Sequence, residues 1–295
     1  VITQNPNTAG CEDTTLIATV IVEPAPTVGT PPQDDIVCKD GNVADLYINY
    51  GFKVHIEHGL KGLGTGSLND AKQYYKSNDY HPYSKGKGII YYLFKLSRKL
   101  TYRWKLRIMK NQCTTRIEHL DYGSGDVSFV NFLIKKGISS SSYDEFYPMA
   151  NNNVIQGKKF NLITLWHSLE HIHNLEGLFF QLDNLLEKNG KIILAVPNFN
   201  APERKYFNDT WKAYDFPRHL YHFDSSSLDR LLKLNGFRVL DRKRMLLDTI
   251  YISLLSKDKN IGYIKLSYII LKSIIKVIIK GPIFSSSLLY ICEKN

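Results

Sequence analysis

Apolar positions change their rhythm several times along this chain, and each change predicts an element. Leu16-Ile-Ala-Thr-Val-Ile-Val-Glu23 is short and β-branched, and it runs into Pro24-Ala-Pro26 and Gly29-Thr-Pro31-Pro32. That pattern is one strand followed by a turn-rich linker. From Ser67 the spacing turns helical. Ile89, Leu93, Leu96, Leu100, Trp104 and Ile108 recur every three or four residues, with Lys95, Arg98, Lys99, Lys105 and Arg107 elsewhere around the helix. Strands and helices then alternate. Ile117–Leu120 predicts a short strand, Val127–Lys136 a helix ending at Gly137, Ile138–Tyr143 a weak strand and Phe160–Leu165 a strong one. Leu175–Lys188 predicts a helix stopped by Asn189-Gly190, and Lys191–Val196 a buried strand closed by Pro197-Asn198. A helix from Ser225-Ser-Ser to Asn235-Gly236 and a strand Phe237–Leu240 follow. This βαβ rhythm implies a mostly parallel sheet with helices on both faces.

The last stretch differs. Ile264 to Ile279 is strongly apolar, and Lys265, Lys272, Lys276 and Lys280 fall largely on one helical stripe. It is too short and too often charged to span a bilayer. It reads either as a domain helix or as a helix on a membrane surface. Ser285–Cys292 reads as a final strand. Residues 1–68 form an appendage whose strand resembles the closing strand of an extracellular immunoglobulin-like repeat. Residues 69–110 form a basic helical cap, and 111–295 the main domain.

With 295 residues, 43% apolar and 22% charged, the chain has ample material for a core, which excludes disordered, collagen-like and coiled-coil classes. Cys11, Cys38, Cys113 and Cys292 include no C-x-x-C pair, which argues against a cysteine zinc module. Four are too few for a disulfide scaffold, although Cys11 and Cys38 could pair. Residue 1 is Val, so the natural start is expected upstream, and no signal peptide is read. The net charge of +10 is local: between Lys72 and Lys110 eleven Lys or Arg face one acid, Asp79. Such a block suits an anionic partner (phosphate, nucleic acid or lipid) or simply a solvated helix face.

The sharpest chemical signal is His119-Leu-Asp121-Tyr-Gly123-Ser-Gly125-Asp-Val-Ser-Phe129, a strand running into a glycine turn and then a helix. Glycines let backbone approach a ligand closely, and a helix start offers unpaired N–H groups. Asp144 follows 19 residues after Gly125, at the end of the next candidate strand. A carboxylate there can accept both ribose hydroxyls. The two features point to a nucleoside cofactor, with dinucleotide folds sharing the glycine turn.

Leu120-Asp-Tyr-Gly-Ser-Gly125 resembles the first motif of class I S-adenosylmethionine-dependent methyltransferases. Phe160-Asn-Leu-Ile-Thr-Leu-Trp-His-Ser-Leu-Glu-His-Ile172 resembles that fold's fourth strand and following turn, and Leu186–Asn198 its fifth-strand unit. Trp211-Lys-Ala-Tyr-Asp-Phe-Pro-Arg-His-Leu-Tyr-His-Phe223 resembles a signature of a bacterial subgroup related to ubiquinone-biosynthesis O-methyltransferases. The resemblance covers about residues 70–295. It implies a Rossmann-like sheet of seven strands, helices on both faces and an N-terminal helical cap. The third strand is expected to be reduced, because only fifteen residues separate Asp144 from Phe160. Asn151–Asn153 could then supply the adenine contact.

The resemblance assigns Asp121, Gly123 and Gly125 to the methionine end of the cofactor, Asp144 to the ribose, and Trp166 and His167 to the cofactor or acceptor. Val127 stands at the third motif glycine, and Asn161 where the family usually has Asp. A hydroxyl or amine acceptor needs a base near neutral pH, which favours His. His171 is the leading candidate, followed by His219 and His222. Arg218 could bind an anionic acceptor, and Trp211, Tyr214 and Tyr221 could wall it. The site is read as metal-free. A divalent ion on His167, Glu170 and His171 is the lesser alternative.

The expectation is therefore methyl transfer from S-adenosylmethionine, leaving S-adenosylhomocysteine, to oxygen or nitrogen of a small or lipid-linked acceptor. A surface glycan or a quinone-like molecule would fit. The alternative is a methyltransferase-like binding module without turnover, serving an envelope biosynthetic complex. No nucleic-acid partner is expected, since no N-P-P-Y tetrad is present. The expected setting is the bacterial cytoplasm, with membrane contact through the basic helix 88–110 or helix 262–280.

Overall fold

The structure is a computed structural model that describes residues 36–39, 43–48, 52–57, 89–113, 116–145, 155–215 and 218–295. The strand expected at Leu16–Glu23, Cys11 and the Asn151–Asn153 contact lie outside the described residues. Three short strands come first: β1 (Ile36–Lys39), β2 (Val43–Ile48) and β3 (Phe52–Glu57). They form an antiparallel meander in which Ile36 pairs with Leu46 and Ile48 with Phe52. The sequence reading assigns no strand to this part of the 1–68 appendage, although Gly41-Asn42 and Asn49…Gly51 stand as turn signals between these runs.

The basic helix is α1 (Ile89–Lys110), with side chains described from Ser97 onward. Its last turns dock: Leu106, Ile108 and Met109 are buried, whereas Leu100, expected in the apolar stripe, is about half exposed. The main domain continues with β4 (Glu118–Tyr122), α2 (Ser128–Ile134), β5 (Ser139–Tyr143), β6 (Phe160–Trp166) and α3 (Leu175–Leu185). Then come β7 (Leu186–Pro197), α4 (Arg204–Phe207), α5 (Ser225–Leu234) and β8 (Phe237–Lys243). The chain closes with α6 (Leu246–Leu255), α7 (Tyr263–Lys280) and β9 (Ser287–Lys294).

Six strands, in the order β5-β4-β6-β7-β9-β8, form the main sheet. All pairs from β5 through β7 are parallel, and β9 lies antiparallel between β7 and β8. Seven strands were the expectation from the resemblance; among the described residues no strand separates β5 from β6. The connection is too short for a full crossover pair, so β5 forms the edge. Its Ser139-Ser-Ser-Ser142 run is half-buried and polar, as suits an edge strand.

One further boundary differs from the sequence reading. The helix expected to reach Lys188 ends at Leu185, because Leu186 already pairs with Phe160. Asn189-Gly190 lies in a bulge of β7, before pairing resumes at Leu162–Lys191, and Asn189 takes a left-handed φ of 63° there.

Helices cover both faces. Leu178 and Leu182 of α3 and Leu228 and Leu232 of α5 pack on Leu120, Ile163, Leu194 and Tyr290. On the other face, Leu106 and Met109 of α1 with Phe129 and Leu133 of α2 pack on Leu162, Ile193 and Ile291. Each such side chain contributes about 1.5–3 kcal/mol by leaving water. A third cluster joins Phe199, Phe207, Trp211 and Tyr214 to Ile252, Leu266 and Ile269. Its segments follow the carboxyl ends of β7 and β8, so this lobe sits over the end of the sheet where ligands bind in such folds.

Candidate active site

From β4 the chain moves outward to β5 and then returns to β6 on the other side of β4. The strand order therefore reverses beside β4, and the crevice outside the carboxyl ends there is the expected ligand site. The glycine turn fills one wall of it. Gly123 has φ +79°, and an added Cβ would lie 2.3 Å from Cβ of Ser168, which follows β6. The Ser168 hydroxyl donates to the Tyr122 carbonyl at 2.9 Å, fastening the two strand ends together. Gly125 has φ +55°, and the space an added Cβ would enter is open.

Because β5 runs parallel to β4 with Tyr143 beside Tyr122, Asp144 arrives next to the turn. Its carboxylate accepts the Gly125 N–H at 2.8 Å, while the Tyr143 carbonyl accepts the Gly123 N–H at 2.8 Å. The open face at Gly125 and an adjacent fixed carboxylate fit a nucleoside cofactor. Val127 keeps a glycine-like backbone, φ 52°, at a cost of about 1–2 kcal/mol for a non-glycine residue.

Beneath the turn lies a buried polar relay that the sequence did not disclose. The Thr164 hydroxyl donates to Asp121 Oδ1 at 2.6 Å and bonds His119 Nε2 at 2.8 Å. His119 Nδ1 bonds the Ser140 hydroxyl at 2.7 Å. Burial raises the Asp121 carboxyl to about 6, against the opposing pull of Thr164 and Lys105. Lys105 is therefore no solvated helix residue, as the apolar stripe implied. Its Nζ stands 4.1 Å from the Trp166 ring centroid and 5.1 Å from that of Phe129. Burial lowers it to about 8, opposed by Asp121 and Asp248.

A second polar group follows β6, where the backbone turns at His167 with φ +53°. The His167 ring stands between Asp248 (Nε2–Oδ2 3.2 Å) and Glu170 (Nδ1–Oε1 3.5 Å). Burial opposes its charge, yet the two carboxylates outweigh burial and raise His167 to about 9. It is a fixed cation at neutral pH, which places it in a structural ion group. Glu170 is fully buried, and three imidazoles hold it below the usual carboxylate range against the effect of burial.

Of the three candidate bases, His171 and His219 gather at Glu170, whereas His222 packs against the Phe199 and Tyr214 rings. His171 Nδ1 bonds the Arg218 carbonyl at 2.8 Å, and His219 Nδ1 bonds the Ala213 carbonyl at 2.9 Å. A carbonyl only accepts, so both Nδ1 atoms carry the proton and leave the Nε2 lone pair as the basic position. The two rings meet edge to face at 4.7 Å, and His222 follows at 6.2 Å from His219. His219 Nε2 lies 4.0 Å from Glu170 and 3.7 Å from Asp215. Burial holds His219 below the ordinary imidazole range, though Glu170 pulls the other way.

Glu170, His171 and His219 offer ligand atoms within 4.8 Å of one another, so these three could hold a divalent ion. The set weighed from sequence included His167, which the structure instead commits to Asp248 and Glu170.

The acceptor residues divide. Trp211 and Tyr214 join the third hydrophobic cluster and line a cavity of about 440 Å³ with Asp215, Leu255, Ser256 and Lys257. Tyr221 does not join them. Extended backbone sends alternate side chains to opposite sides, and Tyr221 packs on the core under α3 and α5, donating to the His173 carbonyl at 3.3 Å. Arg218 pairs with Asp215; Phe216 and Pro217 between them lie outside the described residues. Asn161 is structural: it accepts the Glu118 N–H at 3.0 Å and donates to the Arg116 carbonyl at 2.7 Å.

A doubly wound sheet with a glycine turn at its switch point and a carboxylate just past the end of the next strand defines a nucleoside-binding α/β protein. The profile of the methyltransferase domain matches residues 95–242, half of the chain. The chain belongs to that family and is a methyltransferase. Among solved structures it is similar to an S-adenosylmethionine-dependent methyltransferase from Archaeoglobus fulgidus, at 19% identity and TM-score 0.41, covering 69% of this chain and 99% of that one. It is also similar to magnesium protoporphyrin IX methyltransferase from Synechocystis PCC 6803, at 12% identity and TM-score 0.47, covering 78% and 100%. A third likeness is to geranyl diphosphate C-methyltransferase from Streptomyces coelicolor A3(2), at 11% identity and TM-score 0.47, covering 77% and 98%. No curated protein matches the chain in sequence.

Proposed function

We propose that this methyltransferase uses S-adenosylmethionine and methylates oxygen or nitrogen of a small or lipid-linked acceptor, of surface-glycan or quinone-like type, in the bacterial cytoplasm. The observation that carries the cofactor reading is the Gly125–Asp144 hydrogen bond beside open space at the turn. When bound, the cofactor supplies an electrophilic methyl group whose departure leaves a neutral thioether. The chain's own task is to hold the acceptor in line and take its proton. Gly123 and Gly125 let the backbone approach the methionine end, and Asp144 receives the ribose hydroxyls. Trp166 and Lys105 close the floor. His219 takes the proton on Nε2: its Nδ1–H is tied to the Ala213 carbonyl, and its lowered basicity keeps it neutral at pH 7. His171 flanks it, and Trp211 and Tyr214 wall the acceptor side.

Calorimetric titration of the full chain with S-adenosylhomocysteine, repeated with Asp144→Ala, tests this reading. Binding weakened at least about tenfold by the substitution supports it. A folded protein that does not bind would overturn it.

A further inference from the structure

Helix α7 is apolar on two sides. Leu266, Ile269, Ser273 and Val277, spaced three, four and four residues apart, face the body and are buried. Ile264, Tyr268, Leu271, Ile275, Ile278 and Ile279 occupy the opposite side and are exposed, Ile264 by 91% and Ile279 by 71%. The helix has no acid. Its only charges, Lys265, Lys272, Lys276 and Lys280, recur at seven, four and four residues and form one row along a flank.

A helix that is hydrophobic all round belongs in an apolar environment, and here only one side has one. Exposed apolar stripes of this size mark a protein or membrane contact. The lysine row decides between them. Lys is depleted at protein–protein interfaces. A helix lying among lipid headgroups has the opposite preference: apolar side chains enter the acyl boundary while lysines reach phosphates from the flank. Tyrosines at that level add amphipathic anchors. Lys272 donates to the Tyr268 hydroxyl at 3.1 Å, and Lys257 stands 4.7 Å from the Tyr263 ring centroid. Among the described residues no helix is long and apolar enough to cross a membrane.

We propose that the outward face of α7 docks on an anionic phospholipid surface, with the helix lying in the headgroup plane. This inference does not rest on the cofactor reading, since α7 contributes no residue to the glycine turn or the histidine group. The test is cosedimentation of the full chain with vesicles of phosphatidylcholine alone or mixed with phosphatidylglycerol. Leu271→Glu/Ile275→Glu carries the substitutions, and Phe180→Glu, on the exposed side of α3, controls for apolar surface in general. Circular dichroism verifies that each variant is folded.

Wild type and Phe180→Glu should bind the anionic vesicles, with binding weakened about tenfold or more in the α7 variant. Changing the four lysines to Gln should abolish the preference for phosphatidylglycerol. A folded wild type that ignores both vesicles overturns the proposal, as does equal loss in Phe180→Glu. So does an α7 variant that dissociates a dimer in analytical ultracentrifugation while leaving vesicle binding intact.

Discussion

His219 shows how much of a base's behaviour lies outside its own ring. A backbone carbonyl fixes its tautomer, burial lowers its basicity, and Glu170 sets the field around Nε2. If it takes the acceptor proton, His219→Gln should reduce turnover by about 10²–10⁴-fold. Calorimetric affinity for S-adenosylhomocysteine should stay unchanged, and equal loss of both would assign His219 to folding instead. Gly123 makes a second residue-scale prediction. Alanine there would need both a left-handed φ and 2.3 Å against Ser168 Cβ, so Gly123→Ala should lower stability in urea unfolding by about 1–3 kcal/mol. The glycine turn and Asp144 were legible in the sequence because strand, turn and strand end are local and their spacing fixes their meeting. Lys105 and Asp248 were not. Each reaches the site from an element whose docking the local pattern does not encode, and only its position after Trp104 in the stripe hinted at Lys105.

Elements were legible where their signals agreed. Asp224 precedes α5 and accepts the Ser227 N–H at 2.8 Å, while the Ser227 hydroxyl accepts the Asp224 N–H at 3.0 Å, a reciprocal cap visible in the Asp-Ser-Ser-Ser run. Asp224→Ala should cost about 1 kcal/mol, read as a lower thermal midpoint by circular dichroism. Signals misled where tertiary pairing overrode them. Asn189-Gly190 reads as a helix stop, yet Phe160 claims Leu186 for the sheet three residues earlier. Helix α6 escaped the sequence reading because Leu246–Leu255 is apolar on most sides and shows no clear period.

At the scale of the molecule, the buried ionisable groups make stability depend on pH. His167 is raised from its ordinary 6.5 to about 9, so its contribution is complete below pH 6.5 and is lost as pH climbs through 9. Lys105, lowered to about 8, acts oppositely from pH 8 upward, because the folded form sheds its proton first. Glu203, raised by burial from 4.5 to about 7, makes stability fall as pH rises between those two values and adds little slope above them. Between pH 7 and 8 His167 therefore dominates. The thermal midpoint should fall across that interval, and His167→Gln should flatten the fall. A midpoint indifferent to pH in the parent chain would contradict the ion group around His167. The sheet carries a further consequence, in the order of assembly. Among the described residues, strand β8 touches the rest of the sheet only through β9, which is synthesised some forty residues later. Until that strand emerges, β7 and β8 both hold open edges, and the third lobe must form between two unjoined halves. Folding is therefore expected to finish only after synthesis reaches β9, leaving the nascent chain dependent on whatever shields those edges in the interval.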